Sequence, residues 1–126
     1  MGKNFEDLNV WKEAMDLAEA VYRATDTFPK TEQYGLTSQL RRSVVSIASN
    51  IAEGSARATN GEFMQFLGIA RGSAAEAKTQ LMLSQRLNLL DEVTAHRLIE
   101  HTDRIARMLN GLRNSITNNQ QLATSN

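Results

Sequence analysis

The sequence contains no cysteine and a single proline, and aromatic residues make up only 6% of it. Without cysteine there is no disulfide framework, no thiolate metal site and no cysteine nucleophile. No apolar run approaches the roughly 20 residues that span a bilayer. The first residues, MGKNFEDLNVW, lack the basic-then-apolar layout of a signal peptide. These absences predict a cytoplasmic protein that makes no membrane contact.

Length and composition are those of one globular domain. The chain has 126 residues, of which 41% are apolar and 22% are charged. Its 14 basic and 14 acidic residues cancel, but they are unevenly distributed. Residues 5–28 carry six acidic and two basic side chains, whereas residues 30–60 carry four basic and two acidic ones. This polarity favours contact between copies of the chain, and the zero net charge lacks the bulk positive field that drives binding to phosphate backbones.

The spacing of apolar residues predicts helices and no strands. Pro29 separates a first helix from a second. The first helix carries two adjacent apolar stripes, which together form a face wider than one bundle seam needs. The stripes are Leu8, Trp11, Met15, Ala18, Tyr22 and Thr25, and Val10, Ala14, Leu17, Val21, Ala24 and Phe28.

Capping signals delimit the next two helices. The second is predicted from Thr37 as N-cap to Ala52, with Gly54 as its stop. The segment TNGE at 59–62 has the spacing of a capping box and opens a third helix that lasts to about Leu90.

Asp91 is predicted to cap a fourth helix with a heptad seam. The seam residues are Leu98, Thr102, Ile105, Leu109, Leu112 and Ile116. Four amphipathic helices with short connections predict an all-α fold, an antiparallel up-and-down four-helix bundle formed by residues 1–116. Residues 117–126 are polar and are predicted to be a disordered tail. The surplus apolar surface on the first two helices predicts that a second copy of the chain covers it.

Polar residues border the apolar face of the second helix, where Arg42, Ser46 and Asn50 follow one another at helical spacing. Gly72, inside the third helix, costs about 1 kcal/mol relative to alanine, so a close neighbouring helix is expected there. We expect Arg41 or Arg42 to pair with Asn50 and Glu76 across the second and third helices, because a buried carboxylate needs partners. The alternative is a ligand or catalytic site built from the same groups around Asn50 and Glu76.

Three segments together resemble one bacterial family. FEDLNVWKEAMDLA, FPKTEQYGLTSQLRRSVVSIASNIAEGSAR and EFMQFLGIARGSAAEAKTQL are similar, in this order and spacing, to the four-helix-bundle 23S rRNA intervening-sequence proteins. The resemblance implies an up-and-down bundle and a homopentameric ring, in a family whose molecular role is unsettled. It extends to the accessory variability proteins of diversity-generating retroelements, which are basic rings that work with a reverse transcriptase and nucleic acid; this chain differs in being neutral. The signature positions that the resemblance implies are Arg41, Arg42, Ser46, Asn50, Glu53, Gly54, Gly72, Ser73 and Glu76.

Enzyme signatures are missing from the sequence. His96 and His101 are the only histidines, and they point about 140° apart on a helix. Glu92 shares a face with His96, but no third ligand completes a metal site. No phosphate-binding glycine loop and no nucleophile elbow occurs. We therefore expect no enzyme activity, no cofactor and no metal.

Arginines are the remaining candidates for function. Backbone contact with RNA or DNA is one interpretation, and a five-fold ring would multiply each contact. Solvated arginines that pair with Asp103, with Glu100 and with the acidic first helix of a neighbour are the other. The sequence thus predicts a self-assembling interaction module whose partner is nucleic acid, or alternatively a protein with no nucleic-acid contact. The candidate nucleic-acid contacts are Arg41, Arg42, Arg57, Arg104, Arg107 and Arg113.

Overall fold

The computed structural model describes the backbone of residues 4–124 and the side chains of residues 4–119. Within this range the chain is helical and forms no strand, which confirms the predicted all-α four-helix bundle. The elements are a 3₁₀ turn at Phe5–Asp7, α1 at Asn9–Thr25, a 3₁₀ turn at Lys30–Glu32, α2 at Leu36–Ser55, α3 at Asn60–Arg86 and α4 at Glu92–Thr124.

Consecutive helices run antiparallel, as two contacts between α3 and α4 illustrate. Lys78 Nζ lies 2.9 Å from Asp103 Oδ1. The Thr117 hydroxyl donates to Met64 Sδ at 3.5 Å. The residue number falls along α3 as it rises along α4, so the two helices point in opposite directions.

The core consists of one apolar stripe from each helix. On α1 the buried stripe contains Val10, Ala14, Leu17 and Val21, one of the two predicted from the sequence. The other stripe remains accessible, since Met15 is 44% and Tyr22 is 43% exposed. The largest fully buried side chains are Leu17, Leu40, Ile47, Ile51, Leu67, Leu81, Leu98, Ile105 and Leu109.

The N-termini of α3 and α4 are capped by the residues that the sequence indicates. Thr59 accepts a hydrogen bond from the backbone N–H of Glu62 at 3.1 Å and donates to the Glu62 carboxylate at 3.1 Å. Asp91 Oδ2 accepts from the Thr94 N–H at 2.9 Å. Both caps satisfy N–H groups that have no partner inside the helix.

Helix α3 ends at Arg86, before the predicted limit at Leu90. Asn88 adopts a φ of 60°, a left-handed conformation that asparagine tolerates better than most residues. The N–H groups of Leu89 and Leu90 then fold back onto the carbonyl of Ser84. The apolar residues of the sequence continue to Leu90, but the helical backbone ends at Arg86.

Helix α2 starts one residue before the predicted cap. Its N-cap is Gly35, which offers no side chain, and the Glu32 carboxylate accepts the Leu36 N–H at 3.1 Å instead. The hydroxyl of Thr37, the predicted cap, is buried without a hydrogen bond among the described residues.

Gly54 does not stop α2, which continues through it to Ser55. A Cβ at Gly54 would lie 2.7 Å from Phe66 Cβ and 2.9 Å from Phe63 Cδ1. The glycine therefore lets α2 pack closely against α3 at this point, and its lack of a side chain is a packing requirement.

Helix α4 extends to Thr124, so the predicted disordered tail is helical from 117 to 124, and residues 125 and 126 lie outside the described residues. None of the described helices combines the length and apolar character that a bilayer crossing requires.

Candidate functional site

A polar seam joins α2 to α3, and we define it as Ser43, Ser46, Asn50, Ser73 and Gln80. The Ser43 hydroxyl donates to Gln80 Oε1 at 3.0 Å, and both side chains are buried. The hydroxyls of Ser46 and Ser73 lie 2.8 Å apart. Asn50 Nδ2 donates to the carbonyl of Ser46 at 2.8 Å and to its hydroxyl at 3.0 Å. These groups bond to one another, as the buried Ser43, Ser73 and Gln80 require and the half-buried Ser46 and Asn50 permit.

Arg42 and Glu76 do not join the seam. Both are exposed, and neither forms a hydrogen bond or an ion pair within the described residues. The predicted contact between Asn50 and Glu76 is therefore wrong, because Asn50 bonds back to Ser46 while Glu76 lies at the exposed edge of the seam beside Ser43 and Ser46. Arg42 and Glu76 instead border a shallow groove of about 330 Å³ above the seam.

Arg41 binds α1 rather than α3, which corrects the other half of the predicted pairing. Its Nε donates to the Thr25 hydroxyl at 3.0 Å. Its Nη2 donates to the Tyr22 carbonyl at 3.2 Å and to Asp26 Oδ1 at 3.1 Å. The guanidinium also lies 4.6 Å from the centre of the Tyr22 ring. Arg41 is thus a clamp between α1 and α2.

The two remaining signature positions, Glu53 on α2 and Gly72 on α3, form no hydrogen bond or ion pair with another helix among the described residues. Arg57 lies 3.9 Å from Glu53 and 4.7 Å from the ring centre of Phe66. Gly72 is exposed, and a Cβ placed on it would meet no atom within 4 Å. The expectation that a helix of the same chain packs closely at Gly72 is therefore wrong.

Three arginines meet on the outer side of α4, in a surface that we call the arginine face: Arg97, Arg104 and Arg107. They surround a depression of about 390 Å³ together with Glu100 and His101. The sequence predicted Arg104 and Arg107 as contacts but missed Arg97. The helical spacing of 97, 104 and 107 was the available signal.

Glu13 of α1 connects to this face. Its Oε1 lies 2.7 Å from His101 Nε2 and 2.6 Å from Arg104 Nη2. Hydrogen bonds donated by His101 and Arg104 hold the pKa of the Glu13 carboxyl below its ordinary value, although burial opposes them. Since an ionised carboxylate only accepts, the proton in the His101 contact is on Nε2. The sequence did not predict this contact, which joins residues 88 apart.

The part of α4 beyond Asp103 contains three arginines and no acidic residue. Arg113 is half-buried on the side of α4 that faces α3, where its Nη2 lies 4.0 Å from the Cβ position of Gly68. Arg113 therefore lies off the arginine face. Arg71, which the sequence did not single out, is exposed on α3 near this acid-free stretch, as the register of Met64 with Thr117 indicates.

An apolar band remains uncovered along α1 and α2. On α2, Val45 is 42% exposed. Because Arg41 contacts Tyr22 and the two helices are antiparallel, Val45 lies beside the accessible stripe of α1. The band consists of Trp11, Met15, Ala18, Tyr22, Val45 and Ala52.

The described residues offer little of what catalysis needs. They contain no group of three His, Cys, Asp or Glu side chains that could hold a metal ion. His96 pairs with Glu100 at 3.3 Å on an exposed surface. The hydroxyl of Ser46 is bonded to Ser73 and Asn50, neither of which can act as a base.

A family model described as 23S rRNA-intervening sequence protein matches residues 6–111. The chain belongs to this family. A solved structure from Bacteroides thetaiotaomicron, described as a protein with unknown function from the S23 ribosomal protein family, is similar with a TM-score of 0.75 and 20% sequence identity. The similarity covers 82% of this chain and 97% of that one, and at this identity it shows the fold alone. A search of curated proteins finds no match.

Proposed function

We propose that this member of the family is a non-catalytic, self-assembling helical bundle that associates with nucleic acid in the cytoplasm. The arginine face carries the nucleic-acid part of the proposal, and the apolar band carries the assembly part. The polar seam is assigned to architecture, because its hydroxyl and amide groups are bonded to one another.

The apolar band supports self-assembly. Met15, Tyr22 and Val45 each leave more than two fifths of their surface accessible, side by side on two packed helices. Contiguous apolar surface of this kind marks an interaction site on a soluble protein. A second copy is the proposed cover, and the homopentameric ring implied by the family resemblance is the proposed assembly.

The arginine face supports backbone contact. Arg97 and Arg107 are exposed and form no ion pair within the described residues, so their guanidinium groups can bind phosphate bidentately. The other predicted contacts are less suitable. Arg41 and Arg57 already have partners in the chain, and Arg42 lies beside Glu76. Repetition of the face around a ring would raise the effective affinity of each copy for a polyanion.

Assembly can be tested by light scattering coupled to gel filtration. We expect the wild-type protein to have the mass of an oligomer, and Val45→Glu to reduce it because the change places a charge inside the interface. Val93→Glu is the matched control, since Val93 is 75% exposed and lies off the band. A wild-type monomer, or an unchanged mass in Val45→Glu, would contradict the assembly proposal.

Nucleic-acid binding can be tested by fluorescence anisotropy with a labelled single-stranded RNA over a range of salt concentrations. We expect Arg97→Gln combined with Arg107→Gln to weaken binding and to reduce the salt slope by about 1.4 for each protomer that contacts the strand, since each phosphate contact contributes roughly 0.7. Arg23→Gln, on the acidic helix α1, is the control and should leave the slope unchanged. If the wild-type oligomer does not bind RNA at low salt, the protein-partner alternative replaces this proposal.

A further inference from the structure

A cavity of about 410 Å³ lies at the end of the bundle where α2 turns into α3. It exists because the helices differ in length: α1 has 17 residues and α4 has 33. Glu13 of α1 contacts His101 of α4, and α1 begins only about one turn before Glu13. The turns of α4 that follow this contact by more than about one turn therefore have no part of α1 beside them. Leu8, which precedes α1, closes one side of the cavity.

The cavity combines an apolar floor with a hydrogen-bonding rim. Its apolar lining comes from Leu8, Phe63, Leu112 and Ile116, and its polar lining from Ser55, Arg57, Thr59, Asn60, Ser115 and Asn119. This lining contains one cation and no acidic residue. The volume lies within the range of about 300–1,000 Å³ that is typical of small-ligand sites. A planar, uncharged group with a hydrogen-bonding edge and a nearby anion therefore fits its chemistry.

The cavity lies on the same side of α4 as the arginine face. Ser115 follows Arg104 by eleven residues, which is about three helical turns, so the two side chains lie on the same side of α4. Their separation along the helix axis is about 16 Å at 1.5 Å per residue. No acidic residue lies between them in the sequence. A chain of phosphates that crosses the arginine face can thus continue to the mouth of the cavity. The next cation there is Arg57, whose contact with Glu53 is long at 3.9 Å.

We propose that this cavity receives one unpaired nucleobase of the strand whose backbone crosses the arginine face. The inference rests on the proposed nucleic-acid function and adds base capture to it. Phe63 and the aliphatic floor contact the face of the base, as aromatic side chains do in single-strand recognition. Asn60 and Asn119 offer amides, which can pair with the edge of adenine through a donor and an acceptor. This site was not predictable from sequence, because no aromatic residue is interleaved with the arginines of α4.

The test compares a short single-stranded oligonucleotide with the same strand carrying abasic positions, by anisotropy with the wild-type oligomer. We expect the abasic strand to bind at least about 5-fold more weakly, which is the lower end of the effect of stacking one base. Ser115→Trp fills the cavity without changing charge and should remove this difference. Asn110→Trp, at an exposed position of α4 outside the cavity lining, should retain it.

A second measurement reports on the base directly. A strand that contains 2-aminopurine should change its fluorescence on binding to the wild-type protein, and less so on binding to Asn119→Ala, whose exposed side chain can be removed without loss of the core. Equal affinity for the base-bearing and abasic strands would overturn base capture and leave the proposed function intact. Failure to bind either strand would overturn both. Binding of an apolar peptide that Ser115→Trp blocks, without strand binding, would assign the cavity to a protein partner and also overturn the inference.

Discussion

Replacing Gly72 with alanine is expected to stabilise the bundle. Gly72 lies in the interior of α3, where glycine costs about 1 kcal/mol relative to alanine. The new Cβ would meet no atom within 4 Å, so no steric penalty offsets the gain. The expected increase in the free energy of unfolding is therefore about 0.5–1 kcal/mol, which is roughly 2–4 °C in the melting temperature of a chain of this length.

The measurement is urea denaturation at one fixed protein concentration, with the mass of each variant checked by light scattering. Gly54→Ala is the comparison, and it should have the opposite sign. Its Cβ would lie 2.7 Å from Phe66 Cβ, an atom fixed by the backbone that cannot rotate away. Overpacking of this kind costs about 1–3 kcal/mol, more than the helix propensity gained.

A lower stability or a smaller mass in Gly72→Ala would refute the reasoning. In that case the open space at Gly72 is filled by another copy in the assembly, and the interface includes the outer side of α3 as well as the apolar band. Stabilisation with unchanged mass would leave α3 outside the interface.

Three further outcomes are expected. Glu13→Gln should lower the free energy of unfolding by about 1 kcal/mol near neutral pH. Because the pKa of Glu13 is lower in the folded chain than in the unfolded one, the stability difference between variant and wild type should disappear as pH falls through the folded pKa. Denaturation across a pH series measures this difference, and an equal difference at every pH would contradict it. Ser43→Ala should lower the free energy of unfolding by about 1–2 kcal/mol in chemical denaturation, since it leaves the buried side-chain oxygen of Gln80 without its donor. An unchanged free energy would show that the polar seam does not contribute to stability. Arg41→Lys should lower the melting temperature and leave RNA affinity unchanged in anisotropy, whereas an RNA defect as large as that of the Arg97 and Arg107 double variant would place Arg41 on the contact surface.

Features set by neighbours in the sequence were predictable. The caps at Thr59 and Asp91 depend on a residue three positions away, and the structure has both. The core stripes follow from helical spacing, which is why five of the six residues in the heptad stripe from Leu98 to Ile116 are buried and Leu112 is half-buried. The class and order of the helices then follow from their number and their short connections.

Features set by distance between helices were not predictable. The sequence predicted Gly54 as a helix stop and Gly72 as a close contact, yet Gly54 meets a neighbouring helix and Gly72 meets open space. Arg41 could reach two helices from its position on α2, and the sequence does not say which one presents an acceptor. The partnership of Glu13 with His101 depends on the register of the first and last helices, which is fixed by the whole bundle.

The unequal lengths of α1 and α4 also shape the local folding thermodynamics. At about 1.5 Å per residue, α4 is roughly 50 Å long and α1 roughly 26 Å. The turns of α4 from Leu112 to Asn119 therefore lack the helix that protects the turns around His101. Their amide hydrogens should exchange with solvent through openings that leave the rest of the bundle folded. A ligand bound in the end cavity would suppress those openings. Its binding should therefore slow amide exchange in the segment of α4 from Leu112 to Asn119.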